Sequence, residues 1–187
     1  VLLAQATGQA SPVRALRRFS TPVAPPVAAD IDGQSLDYGP LLDEVRQSMS
    51  NDHINLIEGA GGLLSPLTWS ATMIDICQDL SAHAILVAAD KLGMINHTLM
   101  TISMLKHANI PLSAIVVSQT HHGHRSLSGH GLHGATDESV GRNVDTIMRL
   151  VADCDITYLP YLNEPDQAHE SLGDLAKRLV TRGGVFG

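Results

Sequence analysis

The sequence predicts an α/β fold, a parallel sheet covered by helices on both faces in three layers. Three observations carry this. Short apolar runs recur at residues 54–58, 84–89, 113–118 and 156–159. The first three begin about 30 residues apart, the length of a strand-helix-strand unit. Helical periodicity fills the gaps, and the runs are apolar at consecutive positions, as in strands buried on both faces.

The elements follow in order. Residues 1–6 read as the tail of a helix ended by Gly8. Residues 12–26 hold Pro12, Pro22, Pro25 and Pro26 and read as an extended or looped connector, because proline fixes φ and removes a donor. Arg14, Arg17 and Arg18 in it read as a solvated basic patch or as phosphate contacts. Asp37 is placed to cap a helix reaching about Met49, with Leu41, Leu42, Val45 and Met49 on one face. Further helices are expected over 72–80, 94–108 and 140–151, the last with Val144, Ile147, Met148 and Val151 at the spacing of one face. A final helix carries Leu172, Leu175, Ala176 and Leu179.

Composition narrows the function. A chain of 187 residues is expected to form a single domain. Its net charge of −7 argues against a nucleic-acid surface, which normally carries a basic excess. Apolar runs fall short of a membrane span, and no basic, then apolar leader is found, so a cytoplasmic protein without nucleic-acid or membrane partners is expected. Cys77 and Cys154 lie in apolar segments and read as buried, reduced thiols.

In parallel α/β sheets ligands bind beyond the carboxyl ends of the strands. The stretch around which the chain is organised is INLIEGAGGLLSP, residues 54–66. An apolar run there delivers Glu58 into Gly59, Ala60, Gly61 and Gly62. The carboxylate can hold a metal ion and the glycines allow close backbone approach to a ligand; alternatively, Glu58 caps the next helix. After the second run, DKLGMINHT (residues 90–98) opens a helix near Gly93 or Met94, whose unpaired N–H groups suit a carboxylate or phosphate. Asn96 and His97 fall in its first turn, facing a ligand or serving as ordinary cap and surface residues. The segment after the third run holds His121, His122, His124, His130 and His133. It reads as a surface loop, with Zn²⁺ ligation as the sharper alternative.

With these stretches in place, the chain resembles dethiobiotin synthetase, of the P-loop NTPase superfamily, over nearly its whole length. IEGAGGLLSPL (residues 57–67) is similar to the family's glutamate-glycine loop, and DKLGMINHTLMT (residues 90–101) to its lysine-leucine-glycine, asparagine-histidine helix start. Residues 23–29 and Leu159-Pro160-Tyr161-Leu162 add support. The resemblance implies an ATP-dependent ligase that joins 7,8-diaminopelargonate with CO₂ or bicarbonate and closes the cyclic urea of dethiobiotin in biotin synthesis. It implies Mg²⁺ with Glu58 as a ligand, and an ATP site including Glu58, Gly59, Ala60, Gly61, Ser118, Gln119, Pro160, Tyr161, Leu162 and Asp166. A substrate site at Gly61, Leu92, Gly93, Met94, Ile95 and Asn96 would hold the substrate carboxylate across the interface of a homodimer.

Two departures qualify these implications. The family usually places an Asn-Asp pair where Ser118-Gln119 stands, so the reading of adenine differs here. No Gly-x-x-x-x-Gly-Lys-Ser/Thr is found in the sequence. The P-loop, the catalytic lysine and a Mg²⁺-binding aspartate are expected upstream of Val1, with the first strand, in an N-terminally truncated domain. The chain alone is then expected to contain no catalytic residue and to be inactive. The alternative is a P-loop-less paralogue serving as a binding or scaffold dimer. KLGMINHT argues against other synthetases or partition-type ATPases of the superfamily.

Overall fold

The computed structural model describes residues 16–52, 54–120, 137, 139–163 and 168–181. The chain forms two compact units, Val1–Ile76 and Cys77–Gly187.

In the first unit, α1 (Pro25–Ile31) begins on Pro25 itself. The end of the expected connector is therefore a helix start, because proline at the first helical position loses no hydrogen bond. The C-cap at its far end is Asp32, whose Oδ2 accepts the Ser20 N–H at 2.8 Å and whose Oδ1 accepts the Ser20 hydroxyl. These bonds, the hydroxyl first, hold the Asp32 carboxyl below its ordinary range. Arg17 donates to Glu44 at 2.6 Å, an exposed ion pair that takes up one charge of the basic patch. α2 (Tyr38–Ser48) buries Leu41, Leu42 and Val45 as expected, whereas Met49, just past its end, is exposed. Asp37 occupies the N-cap position without a side-chain cap bond; its carboxylate instead accepts from Ser35 Oγ.

The expected strand at residues 54–58 is not one. The segment has no strand assignment, and Ile54, Leu56 and Ile57 are exposed, Leu56 at 74%. An apolar run becomes a strand only where a neighbour supplies ladder hydrogen bonds, and none of the described strands pairs with it.

A short helix, α3 (Met73–Asp79), spans the boundary between the units in sequence. Thr72 starts it through a capping box: Ile74 N–H donates to Thr72 Oγ1 at 3.3 Å, while Asp75 Oδ2 accepts the Thr72 N–H at 2.7 Å.

The second unit contains the sheet. β1 (Ala84–Ala89), β2 (Leu112–Ser118) and β3 (Asp155–Leu159) are parallel in the order β1-β2-β3. Between them run α4 (Met94–His107) and α5 (Asn143–Leu150), and α6 (Ala168–Thr181) follows β3. One sheet face packs Ala88, Ile115 and Val117 against Met94, Ile102 and Ile147 of α4 and α5. The other packs Ala114 and Val116 against Leu175 and Leu179 of α6. Alternate residues of β2 are thus buried on opposite faces, which is why its buried centre, residues 114–117, is apolar at every position. On β1, Val87 is 64% exposed. Parallel strands with helices on both faces form a P-loop NTPase-like α/β architecture. Among the described residues no helix is long and apolar enough to cross a membrane.

Candidate functional site

β1 and β2 each run into a residue that fastens the carboxyl end of the sheet. β1 runs into Asp90, only 3% exposed. Its N–H donates to Ser118 O at 2.8 Å, extending the ladder by one residue. Asp90 Oδ2 accepts the Gly141 N–H at 2.6 Å, and Oδ1 accepts Asn143 Nδ2 at 2.7 Å. Gly141 can turn there because its φ of +82° suits a residue without Cβ. Asn143, also buried, reaches on to Lys91 O at 3.4 Å. Asp137 completes the closure. Its Oδ2 accepts the Leu92 N–H at 2.8 Å, and its Oδ1 accepts Ser139 Oγ at 2.5 Å.

The turn Leu92–Asn96 therefore leads into α4 under restraint from both sides. Gly93 is the N-cap at φ 87°, a left-handed conformation that favours glycine. Met94 is buried and Ile95 packs against the same core, so their side chains serve packing; with the Leu92 and Met94 N–H groups engaged within the protein, what this turn offers a ligand is the backbone N–H of Gly93, Ile95 and Asn96. The Met94 N–H turns back to Lys91 O at 3.1 Å. Asn96 and His97 are exposed, and among the described residues Asn96 Nδ2 makes only a 3.4 Å contact with Met100 Sδ.

β2 runs into Ser118 and Gln119. The Gln119 N–H donates to Leu159 O at 2.9 Å, and its side-chain Oε1 accepts the Tyr158 hydroxyl at 3.0 Å and the Tyr161 N–H at 3.4 Å. Gln119 thus ties the end of β2 to the turn Pro160-Tyr161-Leu162. The Tyr158 phenol is pushed above its ordinary range, first by burial and then by the negative charge of Asp90.

The glycine loop lies in the first unit and has its own internal order. The Gly62 N–H donates to Ser65 Oγ at 2.9 Å, and the Ser65 N–H returns to Gly62 O at 2.9 Å. Gly61 sits at φ +90°, and a Cβ there would lie 2.5 Å from Ser65 Oγ. Glu58 is exposed at the head of the loop. The next helix, α3, is capped by Thr72 and Asp75, so capping by Glu58 is not its use here.

Glu58, Gly59, Ala60 and Gly61 are thus contiguous in one loop, while Leu92–Asn96, Ser118, Gln119 and Pro160–Leu162 gather at the carboxyl ends of β1, β2 and β3. Asp166 and the histidines from His121 to His133 lie outside the described residues. Cys77 and Cys154 are free thiols as expected, but half-buried. Among the described residues no cluster of three or more His, Cys, Asp or Glu could hold a metal ion. A lone Glu58 still suits Mg²⁺, which takes one or two carboxylates and completes its shell with water and substrate phosphates. Sequence reasoning missed Asp90, Asn143 and Asp137. The signal for Asp90 was available, since an apolar run ending in an acid is what singled out Glu58.

A family model described as an AAA domain matches residues 3–164. The chain is 31% identical over 172 residues to "ATP-dependent dethiobiotin synthetase BioD" of Anaeromyxobacter dehalogenans strain 2CP-C, covering 90% of the chain and 70% of that relative. It is 40% identical over 101 residues to the protein of the same name from Anaeromyxobacter sp. strain Fw109-5, covering 54% and 45%. With the protein of that name from Phenylobacterium zucineum strain HLK1 the identity is 39% over 105 residues, covering 55% and 45%. The chain spans about half the length of these last two relatives.

Proposed function

Because the chain belongs to the dethiobiotin synthetase family of AAA domains, we propose that this protein closes the cyclic urea of dethiobiotin from 7,8-diaminopelargonate, CO₂ and ATP. One amine adds to CO₂ and loses a proton, giving a carbamate. The γ-phosphoryl group of ATP passes to a carbamate oxygen, releasing ADP. The second amine attacks the carbamate carbon, and phosphate leaves with the carbamate oxygen as the ring closes. The observation that carries this reading is the family match over residues 3–164, a span that includes both IEGAGGLLSPL and DKLGMINHTLMT.

In this reading Glu58 supplies a carboxylate to Mg²⁺, which when bound would neutralise charge on the phosphates. The backbone of Gly59, Ala60 and Gly61 lines the ATP and diamine site. Leu92–Asn96 takes the substrate carboxylate on the helix N-terminus, where N–H groups and the helix dipole favour an anion. The carboxylate is several bonds from the reacting amines and needs an anchor of its own; the resemblance assigns this turn to the site of a neighbouring copy in a homodimer. Ser118 and Gln119 meet the adenine, with Pro160, Tyr161 and Leu162 against the base. The Gln119 oxygen is already engaged by Tyr158 and Tyr161, which orients the side chain before the nucleotide arrives. The compartment is the cytoplasm.

The test is product formation in the intact native protein. ATP, Mg²⁺, bicarbonate and the diamine should yield ADP and dethiobiotin in equal amounts, and Glu58→Gln should abolish turnover, because a neutral amide is a poor ligand for hard Mg²⁺. Near-native turnover of Glu58→Gln at saturating Mg²⁺ would remove Glu58 from the metal site, and absence of dethiobiotin with the native protein would refute the function.

A further inference from the structure

Asp90 and Asn143 are 53 residues apart in sequence, and their side chains meet at 2.7 Å in the interior. Both oxygens of the carboxylate are taken, one by a backbone N–H and one by an amide, at 2.6 and 2.7 Å. A buried carboxylate is costly unless saturated in this way. Its location matters more than its strength. Asp90 immediately precedes the turn that opens α4, and Asn143 opens α5. Asp137, in the segment leading to Asn143, accepts the Leu92 N–H of that same turn. The segment 137–143 is therefore fastened at both of its ends to residues 90–92.

We propose that Asp90 and Asn143 are positioning residues for the turn Leu92–Asn96, setting the geometry in which it takes the carboxylate of the diamine. The inference rests on the reading of that turn given above. Neither side chain touches the substrate: both are buried, and their effect passes through the backbone of residues 91–94. A donor displaced by a fraction of an ångström loses much of a charge-assisted hydrogen bond, so the cost falls on substrate affinity.

Exchange of the two side chains tests this in the intact native protein. Asn143→Asp alone sets two carboxylates against each other. It should raise the KM for the diamine about tenfold while kcat changes little, since the substrate carboxylate does not react. It should also speed hydrogen exchange at the Leu92 amide. In the double variant Asp90→Asn with Asn143→Asp, the amide and carboxylate trade places. One donor again faces one acceptor, and both KM and Leu92 protection should return most of the way. Faster exchange at Leu92 with an unchanged KM would make the pair merely structural and overturn the positioning role, leaving the ligase reading intact. Absence of dethiobiotin with the native protein would sink that reading and this inference with it. Should Asn143→Asp fail to fold, Asp137→Ala, at a half-buried carboxylate, releases Leu92 from the other side; an unchanged KM there also overturns the proposal.

Discussion

A methyl group built on Gly59 would lie 2.4 Å from both Cγ and Sδ of Met73. The second residue of the glutamate-glycine stretch is therefore in contact with the first residue of α3, and its lack of a side chain has a packing cause of its own. Glycine at position 59 admits the Met73 side chain, whereas glycine at position 61 satisfies the backbone and Ser65.

Gly59→Ala should accordingly destabilise the protein by about 1–3 kcal/mol, the usual range for overpacking. Because Cγ is not the free end of the methionine, a simple swing of the terminal methyl does not relieve the clash. Met73→Ala in the same chain opens the space and should recover part of the loss. Urea denaturation of the single and double variants reads the coupling; equal stability of Gly59→Ala and the native protein would show that the loop shifts freely.

Asn96→Ala offers a clean probe of the anchor, because the side chain is exposed and, among the described residues, makes only a 3.4 Å contact with Met100 sulfur. Folding should be nearly unaffected. If the amide holds the substrate carboxylate, the loss is about 1.5–3 kcal/mol, about ten- to a hundredfold in KM, with kcat little changed. Mixing Asn96→Ala with Glu58→Gln chains should restore about one good site per mixed dimer. No rescue on mixing, with subunit exchange verified, would place both residues in the site of a single chain.

Tyr158 predicts an alkaline limit. Its folded-state pKa is raised from the ordinary 10.0. The neutral phenol is therefore favoured by folding, and this contribution is full below about pH 10 and lost as pH rises through the folded value. Tyr158→Phe cannot titrate. It should be less stable than the native protein near pH 8 by about 0.5–1.5 kcal/mol, for the lost bond to Gln119, and the gap should narrow above pH 10. Cys77, whose thiol is also pushed up by burial, titrates in both proteins and cancels from the difference. Thermal melts from pH 8 to 11 check this; a constant gap would mean that Tyr158 titrates as it does unfolded.

Much of the fold was legible in the sequence because its signals are local. β1 matches the run at 84–89 residue for residue, β2 gains only Leu112, and β3 gains only Asp155. The helix beginning at Met94 was readable from Gly93 before it and periodicity after it. The TxxD of the α3 capping box was equally local, though it went unread. A strand buried on both faces must be apolar at every position, and a helix must repeat on one face, so each carries its assignment within a few residues.

What only the tertiary structure decided depends on partners distant in the chain. Residues 54–57 and 84–89 show a similar apolar signature, followed by Glu58 and Asp90 respectively, yet only the second is a strand and only Asp90 is buried. Strand formation requires a neighbouring ladder, which an apolar run does not contain in itself. The sequence by itself determined the parallel α/β class and the two stretches that mark the family. The structure decided which acid is held inside the protein, because Gly141 and Asn143, more than fifty residues away, supply the donors that make a buried carboxylate tolerable.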